Sequence, residues 1–243
     1  MPLMQMLRSI LYALFFYSYS LALLLLGLPL LILAPRSAVV ALYRLWGWGA
    51  IKGLKVICGT SYQMRGIENL PTDQPAIIAA KHQSVWDILA LFALVKNPAF
   101  VSKVEILWIP LAGLFAMKIG TITVNRGAAA KALREMVKDA GAATQGGRSI
   151  IIFPEGTRAA PGASPGYKPG IAALYTRLDV PCVPVALNSG VYWPRRKWIR
   201  RKGTIILEVL PAIEAGLPRK TFMKNLEEAI EPASKRLMDE AKS

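Results

Sequence analysis

Residues 9 to 35 form a run of 27 without a single charge, and about 20 apolar residues in a helix suffice to cross the hydrocarbon of a bilayer. The run reads as a membrane segment. A secretory signal would have an apolar core of only about 7 to 15 residues ahead of a small-residue cleavage site. Gly27, Leu28 and Pro29 interrupt the run, because a proline inside a helix removes a hydrogen bond and clashes with the preceding turn. The expectation is therefore a kink, or a dip into one leaflet and back. A second helix is predicted over Ser37 to Ile57, with Arg44, Lys52 and Lys55 among Trp46, Trp48 and aliphatic residues. Tryptophans beside cations suit the headgroup layer. Residues 1–60 are thus expected to be a pair of membrane-embedded helices.

Arg36, Arg44, Lys52 and Lys55 follow the apolar run, whereas only Arg8 precedes it. The positive-inside rule then places the rest of the chain on the cytoplasmic side of the inner membrane. The two cysteines, Cys58 and Cys182, make no disulfide framework and agree with a reducing compartment. One histidine and two distant cysteines offer no zinc site, so no metal is expected. A net charge of +15 calls for an anionic partner: nucleic acid, anionic lipid or a phosphorylated substrate. The membrane segment favours the last two.

From Ser61 onward, short apolar runs alternate with helical stretches. This is the signature of an α/β fold with a mostly parallel sheet flanked by helices, and it sets a domain at residues 61–243. Strands are predicted at Ala76 to Ala80, Thr121 to Val124, Ser149 to Phe153, Cys182 to Leu187 and Thr204 to Leu210. The first three run into polar residues: Lys81-His82, Asn125-Arg126-Gly127 and Pro154 to Arg158. Ligands of parallel sheets gather beyond the carboxyl ends of the strands, so three distant loops should converge.

His82, the only histidine, stands five positions before Asp87. Residues so spaced diverge on a helix, so the two can meet only if His82 lies in the turn before it. With the helix predicted from Val85 to Val95, Asp87 can take the Nδ1 proton and leave Nε2 as a general base. Ser84 and Asp87 also fit a capping box, in which Asp87 merely closes a helix. Asn125, Arg126 and Gly127 open a helix predicted over Ala128 to Ala143. They offer either an anion site at its N-terminus or an ordinary cap. In Phe153-Pro-Glu-Gly-Thr-Arg158, Gly156 permits close backbone approach, and an arginine steadied by a carboxylate offers bidentate recognition of phosphate.

Four stretches, His82-x4-Asp87, Asn125-Arg126-Gly127, Phe153 to Arg158 and Val180-Pro-Cys-Val-Pro-Val185, resemble in order and spacing the four motifs of the glycerolipid acyltransferases, those acting on lysophosphatidate most of all. The resemblance covers about Met64 to Leu210. It implies His82 as the base, Asp87 as its orienting partner, and a phosphate site made by Lys103, Arg126, Glu155, Gly156, Thr157 and Arg158. It further implies transfer of a fatty acyl group from acyl-CoA or acyl carrier protein to the free hydroxyl of a lysophosphatidate acceptor, with the thioester as co-substrate and no cofactor. The chain departs from the commoner pattern at Lys81, where Asn is frequent, and at Asn125, where an acidic residue is common. These departures leave glycerol 3-phosphate or another lysolipid open as acceptor.

On that reading the amides opening the 85–95 helix are expected to hold the oxyanion. Ser84 is the rival, as a covalent nucleophile, or else a cap. Residues 106–119 are expected to form one apolar helix, lining an acyl groove or simply in the core. Ala159 to Gly170 is expected to be a loop over the site, and a last helix from Thr221 should cover the sheet. Arg195, Arg196, Lys197, Arg200, Arg201 and Lys202 make a surface for anionic headgroups or for the phosphates of a donor. A membrane-tethered nucleic-acid binder could use the same cluster, but that would leave the motif loops unexplained.

Overall fold

The computed structural model describes residues 2–125 and 129–241. Its centre is a seven-stranded sheet in the order β1-β7-β6-β2-β5-β3-β4. The strands are β1 (Thr60–Arg65), β2 (Ile77–Ala80), β3 (Pro98–Lys103), β4 (Ile122–Val124), β5 (Ser149–Ile152), β6 (Cys182–Leu187) and β7 (Gly203–Val209). All neighbours pair in parallel except β6 with β7. All five predicted strands are present. The two not foreseen, β1 and β3, are short of aliphatic residues (TSYQMR and PAFVSK), so hydrophobic patterning marks them weakly.

Helices cover both faces. On one lie α1 (Pro2–Leu26), α3 (Arg36–Cys58) and α4 (Trp86–Leu94), with α2 (Leu28–Leu33) and α5 (Ala112–Lys118) at the end. On the other lie α6 (Ala129–Gln145), α7 (Pro169–Leu178) and α9 (Arg219–Glu240); α8 (Ser189–Tyr192) is one short turn after β6. Central β2 shows why two layers are needed. Ile78 and Ala80 join the core under α3 and α4, while Ile77 and Ala79 join the core under α7 and α9, because successive strand residues point to opposite faces. Phe222, Leu226 and Ile230 of α9 are fully buried against that second face.

The first helix breaks at Gly27, as expected, and resumes as α2. It is the one described helix long and apolar enough to cross a bilayer. Its outer side is a stripe of exposed Leu3, Leu7, Ile10, Leu14, Tyr17 and Leu21. Its inner side is docked: Tyr12 is buried, gives its hydroxyl to the Ala50 carbonyl (3.1 Å) and meets Trp193 edge-on. The α3 helix buries Val39, Ile51 and Leu54 in the same core as Trp86 and Leu89 of α4. Gly47 permits that contact, since a Cβ there would stand 2.5 Å from the Leu89 carbonyl oxygen. The expected boundary after residue 60 falls one residue into β1, and the hydrophobic core runs across it.

One helical expectation fails. Residues 106–119 are not a single helix: a 3-10 turn (Val104–Trp108) is followed by Pro110 and then α5. Proline disfavours helical backbone at the residue before it, and Ile109 is extended, with ψ of 118°. Trp108 and Met117 are exposed, whereas Phe115 is core.

Candidate active site

The carboxyl ends of β2 and β5 lie side by side, which brings the His82 turn against the loop from Phe153 to Arg158. His82 Nδ1 is 2.9 Å from Asp87 Oδ2. An ionised carboxylate only accepts, so Nδ1 carries the proton and Nε2 is the nitrogen left for a substrate. Asp87 Oδ2 also accepts the amides of Gln83 (2.7 Å) and Ser84 (2.8 Å), and Oδ1 accepts the Ser189 hydroxyl. Four donors thus offset the desolvation of a carboxylate that has no exposed surface. Closing the turn and orienting the imidazole are not exclusive, because one Asp87 oxygen accepts from the Gln83 and Ser84 amides and from His82 Nδ1 together.

Ser84 is fully buried, and its hydroxyl accepts the Trp86 amide two residues on (3.2 Å), bracing the turn ahead of the helix, whose N-cap is Val85. Of the amides opening the helix, from which oxyanion stabilisation is expected, that of Trp86 is taken by Ser84 Oγ, and the Gln83 and Ser84 amides in the turn before it go to Asp87. Ser189 was missed. The available signal was the polar pair Asn188-Ser189 directly after β6, the same strand-end rule that picked out the other loops.

The second loop holds the histidine from three sides. Glu155 Oε2 accepts the His82 amide (3.0 Å), the Ala159 amide donates to the His82 carbonyl (2.7 Å), and the Phe153 ring stacks on the imidazole with centroids 3.8 Å apart. Gly156 makes the turn possible with a φ of 66°, a value that costs other residues strain.

Glu155 does not line a phosphate site. It is 1% exposed, and its other oxygen pairs with Lys81 Nζ at 2.7 Å; a buried carboxylate there organises the loop, and facing an anion it would repel it. Burial outweighs the Lys81 ammonium and the His82 amide and raises the Glu155 carboxyl above the usual range.

Arg158 is half-buried and lines a cavity of about 270 Å³ with Tyr12, Phe16, Val85, Trp193, Arg195 and Arg196. Burial, then the nearby Arg195, lowers its affinity for its proton, with Asp87 acting in the opposite sense. An anion would relieve that cluster of cations. Arg195 reaches back to Thr157 Oγ1 (3.2 Å) and to the Arg158 carbonyl (3.0 Å), fixing the loop. Arg200 stacks over Trp193 at 4.6 Å, and its amide bonds Ser9 of α1 (2.8 Å).

The basic run therefore divides. Arg195 and Arg200 join loop to helix, while Arg196, Lys197, Arg201 and Lys202 are exposed. Lys103 is exposed at the carboxyl end of β3, whereas Arg126 and Gly127 lie outside the described residues. Among the described residues no three His, Cys, Asp or Glu side chains gather as metal ligands.

The family model named Acyltransferase matches residues 61–188, the span that carries the His82 turn, the Phe153 to Arg158 loop and Ser189's preceding strand. The chain belongs to the acyltransferase family. This acyltransferase is 33% identical over 187 residues to the 1-acyl-sn-glycerol-3-phosphate acyltransferase of Pseudomonas aeruginosa, covering 75% of its own length and 72% of that protein. It is 27% identical over 162 residues to the mouse 1-acyl-sn-glycerol-3-phosphate acyltransferase alpha, covering 65% of its own length and 57% of that protein. The crystal structure of the 1-acyl-sn-glycerophosphate (LPA) acyltransferase of Thermotoga maritima superposes with a TM-score of 0.78 at 23% identity, over 95% of this chain and 97% of that one. The acyltransferase shares that fold.

Proposed function

We propose that the protein moves a fatty acyl group from a thioester to the free sn-2 hydroxyl of 1-acylglycerol 3-phosphate, giving phosphatidic acid for phospholipid synthesis. The observation that carries this reading is the dyad itself: an imidazole whose Nδ1 is tied to a buried Asp87, held against the loop that bears Arg158. An alcohol is a poor nucleophile at neutral pH. His82 Nε2 removes its proton as the oxygen attacks the thioester carbonyl, and Asp87 stabilises the imidazolium. The tetrahedral intermediate collapses by breaking the carbon–sulfur bond. The thiolate leaves, the imidazolium returns the proton to it, and an ester and a free thiol result. No cofactor takes part beyond the acyl-CoA or acyl carrier protein co-substrate.

Arg158, with Arg195 and Arg196 beside it in the cavity, takes the phosphate of the acceptor, and Lys103 adds charge from the end of β3; Arg126 keeps the phosphate-binding role that its motif implies. The relatives' names support this acceptor. The apolar stripe of α1 embeds the protein in the cytoplasmic leaflet of the inner membrane, and the loop around Arg200, docked on that helix, then sits where lipid headgroups arrive.

The test is thiol release by purified protein in micelles. Lysophosphatidate, glycerol 3-phosphate and lysophosphatidylcholine are offered as acceptors, with acyl-CoA and acyl-acyl carrier protein as donors, beside His82→Ala. Release with lysophosphatidate, lost in the variant, is expected. Equal release by His82→Ala, or a preference for lysophosphatidylcholine, whose phosphate is a diester, would sink the reading.

A further inference from the structure

We propose that Glu231, on the last helix, is a positioning residue for the acceptor, acting through Lys81 and Tyr167 as a latch on the segment that follows Arg158. This deepens the acceptor assignment above and rests on it. Lys81 precedes His82 and is 2% exposed. Its ammonium meets Glu155 Oε1 (2.7 Å), both oxygens of Glu231 (2.8 Å each) and the carbonyl of Ala163 (3.0 Å). Tyr167 donates its hydroxyl to Glu231 Oε1 (2.9 Å). One buried cation and one carboxylate from α9 thus grip residues 159–168 at two points, Ala163 and Tyr167.

That segment needs gripping. It has no helix or strand, and residues 160–166 are exposed, so little apolar burial opposes its opening. Its first residue, Ala159, directly follows Arg158. The main chain of Arg158 is held by Arg195 on one side and on the other by the bond of the Ala159 amide to the His82 carbonyl, from which the latched residues 160–168 continue. If the latch opens, the guanidinium loses its preset place and phosphate binding pays the ordering entropy at the moment of capture. The dyad keeps its own bonds to Gln83, Ser84 and Ser189, so chemistry after capture should proceed. Weakened binding with preserved turnover separates a latch from a general loss of stability.

The experiment compares full-length wild type, Glu231→Gln, Glu231→Asp and Tyr167→Phe in one detergent. Acceptor KM and kcat are measured, together with deuterium uptake read without substrate. Glu231→Gln should raise the KM for lysophosphatidate by about tenfold, with kcat held within about threefold. Uptake should rise across 159–168 and stay unchanged in β2 and α4. Glu231→Asp should recover part of the KM change, and Tyr167→Phe should shift both readouts the same way by less. Unchanged uptake across 159–168, or raised uptake with unchanged KM, would overturn the latch, and so would a fall in kcat with no change in KM. Because uptake needs no substrate, wild-type protein that leaves lysophosphatidate untouched would defeat the acceptor assignment while uptake alone still decides whether the segment is latched.

Discussion

The backbone amide of His82 donates to the buried carboxylate of Glu155 at 3.0 Å, so the loop carrying Arg158 and the turn carrying the base are one mechanical unit. A residue of the third motif positions the first. With Ala159 bonded to the His82 carbonyl and Phe153 stacked on the ring, the imidazole is seated before any substrate arrives, which lowers the cost of reaching the reactive geometry.

The dyad should fail asymmetrically when its two members are changed. His82→Ala should reduce acyl transfer by about a thousandfold or more and change the melting temperature little, since the ring sits at the rim with its side chain 11% exposed. Asp87→Asn should lose a similar factor in rate and also destabilise the fold, because one Oδ2 receives three donors and an amide cannot accept them all. Enzyme assay and thermal unfolding side by side check this; equal stability of the two variants would contradict it.

Arg158→Lys should weaken phosphate recognition while leaving a positive charge, since an ammonium cannot supply the planar pair of donors. The expected result is an acceptor KM raised by about tenfold or more, with a smaller effect on kcat. A lysolipid without a phosphomonoester, to whatever extent it reacts, should show no such change.

Glu155 gives a pH dependence of stability with a definite sign. Burial raises its pKa in the folded protein above the ordinary value of 4.5, so the folded state binds more protons than the unfolded state between those two values. Its contribution is complete below the ordinary value and is lost as pH rises through the folded one. Wild-type denaturation midpoints should therefore include a component that declines with rising pH above about 4.5, and Glu155→Gln should remove it. An identical slope in the variant would show that another group is responsible.

Gly47→Ala tests whether α3 belongs to the core. Helix propensity alone favours alanine by about 1 kcal/mol, but its Cβ would press on the Leu89 carbonyl oxygen at 2.5 Å. Backbone cannot turn aside as a side chain does, so the net effect should be a loss of about 1 to 2 kcal/mol, read as a lower denaturation midpoint. A gain in stability would mean that α3 rides loosely on α4.

Much of this arrangement is legible in the residues. The charge-free run, the break at Gly27 and the strands ending in polar loops are local patterns of period and punctuation, and they appear in the structure within a few residues of their predicted bounds. The pairing of His82 with Asp87 was open to a capping reading because sequence spacing cannot say whether a carboxylate serves one purpose or two. β1 and β3 were hidden because their neighbours, not their own side chains, make them strands.

By itself the sequence determined an apolar helix, an alternating α/β chain and a small set of polar residues at strand ends, because each of these follows from the chemistry of adjacent residues. The tertiary structure alone decided that Glu155 faces inward to Lys81 and the His82 amide, that Ser189 completes the cage around Asp87, and that Glu231 reaches Lys81 from 150 positions away. Those outcomes depend on which side of a turn a carboxylate enters. That is set by the competition between desolvation and the partners that folding brings within reach.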